Sequence, residues 1–86
     1  MTTAPGPGNE ELRYWPDNYY ELVVLRDGVP VEYRCAGQPK DHDEPRLVER
    51  IRSLTGYTVT FGPWHYNDVA NPYDQESDVP LHVVPA

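Results

Sequence analysis

Eighty-six residues make one small domain, a size that buries about 60–65% of its unfolded surface. Fourteen acidic residues against seven basic give a net charge of −7. That balance opposes nucleic-acid binding, which needs a positive surface to displace counterions, and favours a protein partner with a basic surface. No apolar run nears the ~20 residues of a membrane span, and Met1 to Gly8 lacks the basic and apolar parts of a signal peptide. With a single cysteine there is no disulfide framework. Together these features point to a cytoplasmic protein.

Residues 1–13 read as a disordered Pro/Gly leader, and 14–86 as a single α+β domain. Apolar content of 38% lies below the roughly 45–50% usual for globular chains. Seven Tyr and two Trp offset this, since each large ring buries much area.

The strongest local signal is Asp27-Gly28, a two-residue hairpin turn, because Gly takes φ > 0 freely and Asp tolerates it. That turn opposes Arg26 to Val29, Val24 to Val31, Leu22 to Tyr33 and Glu21 to Arg34. Period-two alternation then places Tyr20, Leu22, Val24, Val31, Tyr33 and Cys35 on the core face, leaving Val23 and Leu25 on a mixed face. Pro30 cannot donate to a ladder, so the second strand's outer side is expected to be an edge near the turn.

A helix is expected from Glu44 to Thr55. Asp43 stands at the N-cap, Pro45 lies in the first turn and Gly56 follows the last residue. Leu47, Val48, Ile51 and Leu54 form its apolar stripe, while Glu49 and Arg52 are spaced for an i, i+3 ion pair. Tyr57 to Phe61 alternates as a third strand. A long loop runs from Trp64 to Asp78, and Val79 to Val84 forms a further strand confined by Pro80 to an edge. The expected fold is thus a small antiparallel sheet of three to four strands with one helix on one face. Its order is β-β-α-β with a C-terminal edge strand, the third strand lying beside the first.

Charge is uneven along the chain. Arg46 to Gly56 carries +2 (three Arg, one Glu), and Asn67 to Ala86 carries −4 (four acids, no Lys or Arg). Either the acidic tail lies along its own helix, or it meets a partner. Trp64, Tyr66 and Tyr73 share this segment, and Tyr and Trp dominate interface hot spots. The leading expectation is therefore a non-enzymatic protein-interaction module, of inhibitor or immunity type, docking on a basic surface. Its contact residues would be Trp64, Tyr66, Asp68, Tyr73, Asp74, Glu76 and Asp78. The plainer role for those rings is to roof the sheet over Val23 and Leu25.

Other chemistry is thinner. Asp41-His42-Asp43-Glu44 has carboxylates and an imidazole but no second set at ligand spacing, and acids before a helix also complement its dipole. Cys35 with His65 or His82 has the elements of a nucleophile and base, yet its place on the inner face reads as a small buried hydrophobe. Arg46, Arg50 and Arg52 supply three cations against an acidic whole, a weak nucleic-acid surface. A small-molecule, metal or catalytic site using Cys35, His65 or Asp41 to Glu44 is the alternative to the interaction module. No cofactor is implied. A homodimer across Val23 and Leu25, or through edge strands, is a further arrangement.

Overall fold

A computed structural model describes residues 10–16, 18–39, 42–67 and 76–85. The described chain forms β1 (Glu10–Trp15), β2 (Asn18–Arg26), β3 (Val29–Ala36), α1 (Glu44–Thr55), β4 (Val59–Phe61), β5 (His65–Asn67) and β6 (Glu76–Val83). All strand pairs are antiparallel, in the order β1-β2-β3-β6-β4, with β5 also on β6. One helix and one antiparallel sheet were expected, but the sheet has six strands among the described residues, not three or four.

The hairpin turn has the expected backbone, with Asp27 at φ 53° and Gly28 at φ 82°. Arg26 faces Val29 and Leu25 faces Pro30, but then Val24 faces Glu32, Val23 faces Tyr33 and Leu22 faces Arg34. Val31 is skipped. This β-bulge lies next to Pro30, and a bulge is one of the few places where an interior strand accepts a proline. Pro30 thus sits at a bulge on the β2 side, and because β3 pairs with β6 only from Glu32 onward, its other side is the edge near the turn that was expected.

One skipped residue moves the aliphatic set of β2 to the opposite face. Val23 (0% exposed) and Leu25 (3%) join Tyr33 and Cys35 in the core; of the β2 residues expected inside, Val24 is buried as well (1%), Leu22 is half-buried and Tyr20 is 64% exposed. Glu21 faces Cys35 instead of Arg34.

The helix has the expected bounds and cap residues. Asp43 makes no side-chain cap bond, while Gly56 takes φ 82° and its N–H reaches the Arg52 carbonyl at 2.7 Å. Leu47 and Ile51 are buried against the sheet, with Val48 and Leu54 packed alongside. Arg52 pairs with Glu49 at 3.1 Å.

Two further departures concern strand order. The last strand is interior, between β3 and the β4–β5 edge, and the third expected strand (now β4) lies beside β6 rather than beside the hairpin's first strand. Ser77, Val79 and Leu81 alternate inward along β6, which pairs with β3 on one side and with β4 and β5 on the other. Pro80 sits where the partner breaks: three residues, Gly62 to Trp64, span two on β6 between the Phe61–Leu81 and His65–Asp78 pairs. There the Gly62 N–H donates to the Pro80 carbonyl at 2.9 Å. A Cβ on Gly62 would stand 2.8 Å from Pro80 Cγ, so the close approach requires glycine. Strand β1, finally, starts at Glu10, inside the stretch read as leader; residues 1–9 lie outside the described residues.

The register carries a direct test. Leu25→Ala empties core and is expected to cost about 2–5 kcal/mol. Leu22→Ala, three positions earlier on the same strand, should cost about 1 kcal/mol or less. Urea unfolding of both variants checks this, and the reverse order would restore the unbulged hairpin.

Candidate functional site

Beneath the helix, the bulged register gathers a polar cluster. The Tyr33 hydroxyl donates to Glu21 Oε2. Cys35 Sγ lies 3.1 Å from His42 Nε2. The His42 ring stacks on Trp64 at 5.8 Å and 10°, and the Trp64 indole N–H donates to Glu44 Oε2 at 2.7 Å. Tyr33 is the hub, with Trp15, Phe61, Trp64 and His42 all around its ring. A cleft of about 250 Å³ opens beside the cluster, bordered by Trp15, Glu21, His42, Asp43, Arg46 and Arg50. The Arg50 guanidinium lies 5.0 Å over the Trp15 ring, an arrangement that attracts cation to ring quadrupole.

The electrostatics of this cluster hold protons in place. Burial pushes the Cys35 thiol up from 9.0 to about 11; the charges of Glu21 and Asp78 add to this and the Tyr33 hydrogen bond opposes it. Burial, then the bond to Glu21, raises Tyr33 far above the ordinary phenol range. A nucleophilic cysteine needs a lowered pKa and access, and Cys35 is 4% exposed. Its neighbour is His42, not His65 or His82, both of which are exposed strand residues.

Of Asp41 to Glu44, Asp43 occupies the cap position and Glu44 accepts from Trp64, while Asp41 lies outside the described residues. Among the described residues no three His, Cys, Asp or Glu side chains stand together as a metal shell. None of the described helices is long and apolar enough to cross a membrane.

The expected contact residues divide by face. Trp64 packs against the core. Tyr66 faces Ser77 on the helix side, its hydroxyl buried without a hydrogen-bond partner among the described residues. These two rings are absorbed by the fold. Glu76 and Asp78 lie on the opposite face of β6, where Asp78 faces Arg34 and His65 across the strands. Asp68, Tyr73 and Asp74 lie outside the described residues.

That opposite face is the second feature of the molecule. One cross-strand row reads Tyr14, Leu22, Arg34, Asp78, His65, and the next reads Leu12, Val24, Glu32, Pro80. The rows are apolar on β1 and β2 and carry the charges of Glu32, Arg34 and Asp78 on β3 and β6. Arg34 bonds Glu32 at 3.1 Å. Leu12 (52%), Tyr14 (51%) and Tyr20 (64%) are the exposed large side chains of the apolar half. Only a bulge shift with no periodicity of its own separates this reading from the sequence-level one, and Pro30 was its sole signal.

No protein-family model matches this chain, and comparisons with curated proteins and with solved structures return no match.

Two tests follow from the cluster. An unfolded Cys35 thiol ionises from about pH 9.0, whereas the folded one holds its proton to about 11, so folding stability should fall as pH rises across that interval. Cys35→Ala should lessen the fall and leave the share of Tyr33, whose hydroxyl ionises near 10.0 when unfolded and far higher when folded; a slope unchanged by it would remove Cys35 as a source. With the pKa two units up, the native thiolate is roughly 100-fold scarcer at pH 8, and a disulfide reagent should react far more slowly with native than with urea-unfolded protein. For Tyr66, an orphaned buried hydroxyl costs about 1–3 kcal/mol, so Tyr66→Phe should hold or raise the melting temperature. A fall of about 4 °C or more would show that the hydroxyl is bonded.

Proposed function

We propose that this protein is a small acidic, non-enzymatic protein-interaction module that docks on a partner with a basic surface. The observation that carries the reading is the sheet face opposite the helix, where Leu12, Tyr14 and Tyr20 stand more than half exposed and which carries Glu32, Glu76 and Asp78 on its β3 and β6 strands. Exposed aromatic and aliphatic side chains ringed by charge are the composition of a contact surface. In this proposal the contact is the sheet face opposite the helix, with Glu76 and Asp78 retained from the late acidic segment. Trp64 and Tyr66 support the scaffold instead. The raised thiol of Cys35 and the pairing of the surrounding polar groups with one another favour a structural role for the cluster over catalysis.

A photo-cross-linking residue at position 20 should give a discrete adduct with a basic partner in the native host. The adduct should weaken with added salt and disappear when Glu32, Glu76 and Asp78 are changed to Gln, Gln and Asn. The same residue at position 53, on the outer helix face, should give none. Equal adducts from both positions, or indifference to charge removal, would sink the reading.

A further inference from the structure

The two edges of the sheet are unequal. On one side β4 and β5 are three residues each and interrupted at Gly62 to Trp64, the short, broken kind of edge that resists pairing. On the other side β1 pairs regularly with β2 from Glu10 to Tyr14, and no other described strand lies on its outer side. Glu11, Leu12, Arg13 and Tyr14 are all exposed. An edge strand of this length presents a row of backbone donors and acceptors ready for another strand.

The charge pattern of β1 selects its occupant. In a closed two-fold dimer joined edge to edge by antiparallel strands, residues of equal face must oppose one another, so the axis passes through one residue of the strand. An axis at Glu11 sets that carboxylate against its own copy, and one at Arg13 does the same with guanidinium groups. An axis at Leu12 opposes Glu11 to the partner's Arg13 twice, and Leu12 to its own copy. Opposite charges stabilise cross-strand pairs and like charges destabilise them, so one register is self-complementary and its neighbours are not.

We infer that β1 is a homodimerisation edge, with Leu12 on the two-fold axis and reciprocal Glu11–Arg13 pairs setting the register. The joined sheet brings the apolar half of each open face to the centre. Leu12, Tyr14, Leu22 and Val24 of both copies become contiguous, with the charged rows of β3 and β6 outside them. This inference goes beyond the docking proposal and stands or falls without it, because it concerns the strand edge and a second copy of this chain, not the sheet face and a foreign partner.

Sedimentation of the purified full chain across roughly 10 µM to 1 mM should show a concentration-dependent dimer. Glu11→Arg and Arg13→Glu should each weaken it roughly tenfold or more, because each variant opposes like charges twice in its own homodimer. An equimolar mixture of the two variants should recover a heterodimer, since both cross-strand pairs are then opposite in sign, and circular dichroism confirms that each variant is folded. A monomer at every concentration would overturn the inference. So would a dimer indifferent to either reversal, or a mixture that recovers nothing. Cross-linking from position 20 to a foreign protein bears on none of these outcomes.

Discussion

Val31 has no partner across the hairpin, and that single extra residue decides which side chains of β2 face the helix. With it, Val23 and Leu25 close over Tyr33 and Cys35, and Glu21 comes within reach of the Tyr33 hydroxyl. Without it, Leu22 and Val24 would take the interior and Glu21 would face Arg34 from the other side. A bulge costs a ladder bond, but Pro30 had no N–H to contribute there in any register. The disruption thus falls where the ladder was already incomplete. The same logic recurs at Pro80, whose irregular partner segment is the Gly62 to Trp64 connection.

Once the faces are fixed, the chemistry sorts itself between them. The helix side takes the aromatic rings and pairs most of its polar groups, Tyr33 on Glu21, Trp64 on Glu44 and Cys35 beside His42, with the Tyr66 hydroxyl the exception among the described residues. In a small domain with a modest core, such ring clusters supply burial that aliphatics alone do not. Among the described residues one helix packs on one face of the sheet, and on the other face Leu12, Tyr14 and Tyr20 are exposed while Val24 is buried. There the apolar residues of β1 and β2 meet the charged residues of β3 and β6, and the molecule's capacity for contact is concentrated on that face and on the edge of β1.

How much of this could be read from the sequence depends on how local each determinant is. Asp27-Gly28 encodes its turn in two residues, and Glu44 to Thr55 encodes its helix through Pro45, the Leu47–Ile51 stripe and Gly56. Both were legible with their boundaries. The bulge was not, because the apolar residues of Leu22 to Leu25 are consecutive and suit either face equally. Strand β1 was hidden by its two leading acids after a Pro/Gly stretch. Strand β6 was misplaced because Pro80 suggests an edge unless the neighbouring irregularity is known. In the candidate site, Cys35 was correctly read as buried, but its approach to His42 depends on the loop after β3 folding back, which spacing does not reveal. The opposite face was missed in part for the same reason as the bulge, since a one-residue slip had assigned Tyr20, Leu22 and Val24 to the core face, and in part because Leu12 and Tyr14 stood outside any expected strand.

Cross-strand proton contacts in β2 and β3, measured by nuclear Overhauser spectroscopy, test this most directly. The bulged register places Val23 opposite Tyr33 and Val24 opposite Glu32, and close backbone contacts should connect those pairs. Contacts linking Leu22 to Tyr33 and Val24 to Val31 would contradict it, and would return Tyr20 and Leu22 to the interior.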